Sequence, residues 1–231
     1  MYSERGSRVP GAVVWRGRAE GPDAVEQRVL PDGCMDLIWV PGAPLLVAGP
    51  DTVAHAAAWR ADTEVIGVRF FPGTAPAILG VAAHELRDQR VPLVELWPSS
   101  AVRALTDRLA RAPDPADRLE EFALRRLARV GPPDPELVAI AELARAGATV
   151  AETARELGVG ERRLHRRCRS AFGYGPKTLA RILRMQRALA LARDGVAWAA
   201  AAARTGYADQ AHLTREVTAL AGAAPTELIR R

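Results

Sequence analysis

The sequence predicts an α+β chain: a small β-barrel or sandwich, then helices, then an all-α C-terminal part. Three observations carry that prediction. The first 72 residues break into short runs rich in Val, Ile, Leu and Trp, separated by turn residues at regular intervals. From Thr74 onward the apolar period becomes helical. The last 85 residues hold a weak internal duplication. At 231 residues, two modest domains fit the length.

The expected strands are Val9–Arg16, Val25–Leu30, Cys34–Val40, Pro44–Ala48, Thr52–Trp59 and Glu64–Phe71. Breaks fall at Pro31-Asp32-Gly33, Pro41-Gly42, Gly49-Pro50 and Pro72-Gly73, where the residue types favour turns. A short helix is expected over Ala75–Leu86, followed by a connector, Pro92–Trp97. Ser99 or Ser100 can cap a helix to about Ala112, and Asp114 or Asp117 the next one, to about Val130. Leu119, Phe122, Leu124 and Leu127 supply the apolar stripe of that second helix. Gly131-Pro132-Pro133-Asp134-Pro135 is the strongest punctuation in the chain. It divides a domain 1–131, β-rich over 1–73 and helical over 74–131, from an all-helical domain 132–231.

The duplication lies in the second domain. One copy reads Thr153-Ala154-Arg155-Glu156-Leu157-Gly158-Val159 and closes with Phe172-Gly173-Tyr174-Gly175-Pro176. The other reads Ala201-Ala202-Ala203-Arg204-Thr205-Gly206-Tyr207 and closes with Ala221-Gly222-Ala223-Ala224-Pro225. Each copy has helix-turn-helix grammar. A small residue (Ala154, Ala202) stands four before the turn glycine, where two helices cross closely, and the glycine permits a tight turn. The second helix then carries a buried stripe: Leu164, Cys168 and Phe172 in one copy, Leu213, Val217 and Leu220 in the other. Between the copies, Pro176 to Arg193 reads as one helix with proline in its first turn. Eighteen residues at ~1.5 Å each span roughly 27 Å. That length can hold two reading helices about one DNA turn, ~34 Å, apart on one duplex face.

Turning the stripes inward decides what faces out. On a helical wheel Arg162, Arg166 and Arg169 lie opposite Leu164 and Cys168, with Arg163 beside them; in the second copy the outward set includes His212 and Arg215. Residues 150–231 hold 15 Lys+Arg against 7 Asp+Glu, whereas residues 1–149 hold 17 against 20. Thirty-one of the 32 cations are arginine, as a GC-rich coding sequence would give, but that bias does not explain why the excess gathers at one end. A basic helical third behind a slightly acidic body points to a polyanion, and double-stranded DNA fits arginine-lined second helices. A solvated helix face competes with this reading for the arginines, and an ordinary surface histidine competes for His212. A general nucleic-acid-coating protein is the rival from another class; it would show no preference among duplex sequences.

Composition closes off other classes. Apolar residues at 48% and charged residues at 26% match a globular protein and exclude wholesale disorder. The longest small-apolar run, Val196 to Ala203, falls short of the ~20 residues of a membrane span. The N-terminus has no apolar stretch followed by a cleavage site, so no secretory signal is expected, and the scarcity of cysteine points to a reducing cytoplasm. Two cysteines, Cys34 and Cys168, allow neither a disulfide framework nor a four-cysteine zinc site. No catalytic residue, metal site or cofactor is expected.

On these residues the segment from about Asp134 to Arg231 resembles the DNA-binding domain of the AraC/XylS family of transcription regulators. The match includes Phe172-Gly173-Tyr174-Gly175-Pro176, Arg184, Ala188, and Gly206-Tyr207-Ala208-Asp209-Gln210 with Leu213 and Arg215. The resemblance implies seven helices, promoter binding, and recruitment or blocking of RNA polymerase. By position it places Arg162, Arg163 and Arg166 on the first reading helix and Gln210, His212 and Arg215 on the second. Trp198, Ala201, Thr153 and His212 depart from the usual family residues. The front half is similar to the uncharacterised N-terminal domain of one subgroup, through Leu30–Trp39, Gly49-Pro50 and Gly67–Gly73. By analogy that half is a cupin-like barrel that binds a small-molecule effector or a second subunit.

For an effector pocket the candidates are Asp36, Trp39, Trp59, Arg69 and Phe71, since strands alternate and one face can line a cavity. The competing reading puts the tryptophans in the core and Asp36 and Arg69 on the surface or in a pair. A homodimerisation module without ligand is the alternative for the whole domain. Cys34, between a Pro-Asp-Gly turn and Asp36, is read as a small buried residue; a nucleophilic role would need exposure and a lowered pKa.

Overall fold

A computed structural model describes residues 2–18, 25–59 and 62–229. Its strands are β1 (Tyr2–Gly6), β2 (Ala12–Arg18), β3 (Val25–Val29), β4 (Met35–Trp39), β5 (Leu46–Ala48), β6 (His55–Trp59), β7 (Glu64–Phe70) and β8 (Arg90–Pro92). Six of them form a sheet in the order β1-β2-β7-β4-β5-β8, and β3 and β6 pair as a separate ribbon. Every pairing is antiparallel. β1 and β8 were not foreseen. β1 is polar and exposed along its whole length, so no apolar run marks it, and β8 is three residues long.

The pleat sorts the side chains of the sheet. Val14, Leu37, Trp39, Ile66, Val68 and Phe70 belong to the core beneath the helices. Their neighbours of opposite parity, Trp15, Asp36, Ile38, Val65 and Arg69, face a cavity on the other side. The helices over the core are α1 (Ala75–Leu79), α2 (Leu93–Leu96), α3 (Ser99–Ala110) and α4 (Pro115–Val130). α1 is shorter than the expected Ala75–Leu86, because Gly80 takes a left-handed backbone (φ +75°) and a separate 3-10 turn follows over Ala83–Glu85. Neither serine caps α3, which Pro98 precedes without a side-chain cap. Asp114 does cap α4, accepting from the backbone N–H of Ala116 (2.8 Å) and Asp117 (3.2 Å). Leu119 and Ala123 of α4 are fully buried against the sheet.

Seven helices follow among the described residues: α5 (Pro135–Ala146), α6 (Val150–Glu156), α7 (Glu161–Phe172), α8 (Pro176–Arg193), α9 (Trp198–Thr205), α10 (Gln210–Ala221) and α11 (Pro225–Leu228). They share a second core that includes Leu164, Phe172, Ile182, Leu189, Leu213 and Val217. The two halves of the chain touch through backbone and side-chain hydrogen bonds. The Ala54 N–H donates to the Leu220 carbonyl (2.7 Å), Arg28 to the Ala221 carbonyl (3.2 Å), and Gln186 Nε2 to the Pro31 carbonyl (2.6 Å).

Candidate nucleic-acid interface and ligand cavity

The two helical hairpins, α6–α7 and α9–α10, are built alike. Gly158 and Gly206 end the first helix of each at φ +62° and +80°. With nothing within 4 Å of a Cβ at either position, it is the backbone conformation and not space that calls for glycine. In both turns the residue after the glycine donates back five positions, Val159 to the Ala154 carbonyl (2.9 Å) and Tyr207 to the Ala202 carbonyl (3.0 Å). Ala154 and Ala202 are buried at the helix crossing. A capping box of Thr149 and Glu152 starts α6, and Asp209 caps α10 through the His212 N–H (2.6 Å).

On α7, Arg162, Arg163, Arg166 and Arg169 are all exposed. Arg163 lies 3.6 Å from Glu136, whereas Arg162, Arg166 and Arg169 pair with no carboxylate among the described residues. Arg167, on the flank, instead binds Asp134 (2.5 Å) and Glu136 (3.0 Å) and so ties α7 to the start of α5. The hydrogen bond from Arg167 holds the Asp134 carboxyl below its ordinary value. A groove of about 480 Å³ runs between this arginine face and α1, lined by Arg163, Arg166, Pro76 and Ala77.

On α10, Gln210 and Arg215 are exposed. His212 is half-buried. Its Nδ1 accepts from the Ala208 N–H (3.2 Å) and its ring packs edge-on against Tyr207, 5.2 Å between centroids. That leaves Nε2 for an outside partner. Arg184, known from the sequence only as a motif residue, has a mechanical role. It donates to Glu216 (2.6 Å) and covers the Tyr207 ring at 4.3 Å, while Arg181 takes the other oxygen of Glu216 (2.9 Å). Burial pushes the Glu216 carboxyl up, but the two arginine hydrogen bonds outweigh it and hold the group below its ordinary value. One carboxylate thus bolts α10 to the long helix.

The cavity measures about 1170 Å³. The free face of the sheet and the β3–β6 ribbon line this half-open cavity, and Gln186 and Arg193 of α8 add to its wall. Asp36 and Arg69 stand directly opposite each other on β4 and β7. Asp36 accepts from Trp15 Nε1 (2.6 Å) and Arg69 Nε (3.2 Å), and Arg69 also reaches Glu4 (3.4 Å). Farther along the wall Arg90 grips Asp51 with two hydrogen bonds, 2.7 and 2.5 Å.

The five expected pocket residues are therefore not one lining. Asp36 and Arg69 line the cavity as a pair. Trp39 does not: it is three residues from Asp36, an odd step, so the pleat turns it into the core at 5% exposure. Phe71 lies just past the end of β7 and is 43% exposed, outside the cavity wall. Trp59 ends β6, and its side chain lies outside those described. Sequence reasoning missed Trp15, whose indole lies on Gly67. A Cβ there would stand 2.3–2.5 Å from the ring, so the bare glycine in a strand marked the spot. Cys34 is a half-buried part of the same wall. Burial and the charge of Asp32 push its thiol up, which makes it a poor nucleophile.

Burial pushes the Asp36 carboxyl up to about 6 against the pull of Arg69. A raised carboxyl contributes stability that is complete below its ordinary value of 3.8 and lost as pH rises through about 6. Wild type should lose about 2 kcal/mol relative to Asp36→Asn between pH 4 and 7.5. Urea midpoints of the two proteins across that range measure it; parallel profiles would refute the shift.

Residues 12–92 match a family model described as a domain of unknown function (DUF6597), and residues 153–231 match a helix-turn-helix domain. No curated protein sequence matches the chain significantly. Among solved structures, two of ToxT from Vibrio cholerae share the fold at 11% identity and a TM-score of 0.50. The P21 form is matched over 99% of this chain and 97% of that one. The form bound to (E)-4-(8-methylnaphthalen-1-yl)but-3-enoic acid is matched over 99% and 98%.

Proposed function

We propose that the chain, with its DUF6597 and helix-turn-helix matches, works as an AraC/XylS-type regulator, and we propose how it reads DNA and what controls it. As a DNA-binding regulator rather than an enzyme, it needs surfaces, not reacting groups. Residues 132–231 read two adjacent major grooves, α7 with Arg162, Arg163, Arg166 and Arg169, and α10 with Gln210, Arg215 and the free Nε2 of His212. The observation that carries this reading is the exposed α7 guanidiniums, of which Arg162, Arg166 and Arg169 have no carboxylate partner among the described residues. Arginine left unpaired on a helix face is free for bidentate bonds to guanine edges or phosphates.

Residues 1–131 hold a small-molecule effector in the cavity. Its volume, mixed apolar and charged wall, and contact with α8 support this reading over one in which the domain only dimerises. The ToxT complex provides a fold-level precedent for a small ligand.

Selection of a duplex site from a random pool, followed by titration, tests the DNA reading. Arg166→Ala is expected to lose ~1–3 kcal/mol of affinity. Relaxed preference at one base pair would make Arg166 a base reader; a uniform loss with a salt slope smaller by about one would make it a phosphate contact. Unchanged affinity removes Arg166 from the interface. The absence of any preferred duplex sequence would instead favour a coating protein.

A further inference from the structure

We propose that the turn Pro31-Asp32-Gly33-Cys34 couples the cavity to the DNA-reading helices. The inference rests on the regulator reading above and adds the element through which the two halves communicate. Its four residues touch three parts of the machinery between them. Asp32 and Cys34 line the cavity, with Asp32 3.9 Å from Arg69. The Pro31 carbonyl accepts from Gln186 on α8 (2.6 Å). Gly33, at φ +82°, lies against the loop that closes the first hairpin, where a Cβ would stand 3.5 Å from the Tyr174 hydroxyl and 3.0 Å from Pro72.

That loop is clamped from several sides. Tyr174 is only 3% exposed, and a Cβ on neighbouring Gly173 would meet Pro50 at 2.5 Å. Phe172, the last residue of α7, packs where a Cβ on Gly73 would meet its ring at 3.0 Å. The turn itself is stiff, because Asp32 Oδ1 accepts from the Cys34 N–H (2.8 Å). A displacement at Asp32 or Cys34 must therefore reach Pro31 and Gly33, and through them α8 and the end of α7.

The Tyr174 hydroxyl suggests which way the device is poised. It is buried and has no hydrogen-bond partner. Such a group gains from any rearrangement that supplies an acceptor, and Asp32, which precedes Gly33 and is now held by Cys34 and Arg69, is first among the carboxylates whose charge it feels, ahead of Asp51 and Asp88. A cavity ligand that takes over Arg69 frees Asp32 Oδ2 to accept from Tyr174 while Oδ1 keeps the Cys34 N–H. Packed interfaces of this kind switch between arrangements rather than deform smoothly.

Coupling is reciprocal, so DNA must act on the turn as a cavity ligand acts on the DNA-reading helices. The experiment uses the full chain, its selected duplex, and labelling of Cys34 by dithiobis-nitrobenzoate, with hydrogen exchange over residues 31–34. DNA is expected to change the Cys34 labelling rate about fivefold or more, although Cys34 lies in the cavity wall and not on the reading helices. The double variant Tyr174→Phe with Gln186→Ala should still bind the duplex but lose that response. Gln186→Ala alone, at a half-buried position, should weaken it and serves if the double variant fails to fold. An unchanged rate in the DNA complex, or a full response in the variants, overturns the coupling while leaving the regulator reading intact. No duplex binding by wild type overturns both.

Discussion

Replacing Phe172 with alanine is expected to remove about 3–5 kcal/mol of folding free energy and most DNA affinity. Phe172 is 1% exposed and is among the largest fully buried side chains in the described residues. It ends α7, packs in the same core as Leu164, Cys168 and Leu179, and abuts Gly73 of the N-terminal half. The site cannot collapse cheaply, because Gly173 behind it is pressed on Pro50 in a left-handed backbone conformation. The hole left by the ring therefore stays largely open, which puts the cost at the upper end of large-to-small substitutions. Loss of the anchor also frees the helix that carries Arg162 and Arg166. A urea midpoint and a duplex titration read the two effects. Phe172→Leu should cost less than half as much, and equal losses for leucine and alanine would show that cavity volume is not the cause.

Glu120→Ala should cost about 3 kcal/mol at neutral pH. Its side chain is 1% exposed, yet it carries four hydrogen bonds: from the Arg8 N–H (2.6 Å), Ser7 Oγ (2.8 Å), Arg8 Nε (3.0 Å) and Arg5 Nη1 (3.2 Å). It thereby pins the polar segment between β1 and β2 onto α4. The loss should stay below the ~3–5 kcal/mol scale's upper end for a broken buried pair. Arg5 and Arg8 are 44% and 58% exposed and can return to water when the carboxylate goes. Burial pushes the Glu120 carboxyl up, but the hydrogen bonds from Arg8 and Ser7 outweigh it and hold the group below its ordinary value of 4.5. The stabilisation is therefore present above that value and lost as pH falls through the folded one. Glu120→Gln should accordingly differ from wild type at pH 7 and converge with it in acid. A gap that persists at low pH would mean that the group acts by shape and not by charge.

These two sites mark the limits of what could be read from the chain. The hairpins were legible because their signals are local: a small residue four before a glycine, a buried stripe at 3.6-residue spacing, proline at the next helix start. Helix α8 over Pro176–Arg193 followed from the same kind of signal. Local signals also placed the α7 arginines outward. They could not show that Arg163 leans on Glu136, or that His212 spends its Nδ1 on the Ala208 N–H, since both partners are set by tertiary geometry. In the front half the strands were legible where apolar runs marked them, and β1 was not, because an exposed polar edge strand is defined by pairing alone. Parity arithmetic alone would have separated Trp39 from Asp36 on one strand. Choosing Trp15 needed the pairing of β2 with β7, which sets its indole over Gly67.

By itself the sequence determined an α+β chain with a duplicated helix-turn-helix end and arginine faces pointing away from its stripes. Backbone torsions and helical or strand period, which operate over a few residues, settle those features. Only the tertiary structure decided where the charges pair, that the sheet and ribbon line a cavity, and that one four-residue turn touches that cavity, α8 and Tyr174 together. Charge pairs such as Arg163–Glu136 and Arg184–Glu216 join residues about thirty positions apart and the turn joins residues more than a hundred apart, and no local preference encodes which distant groups pack against each other.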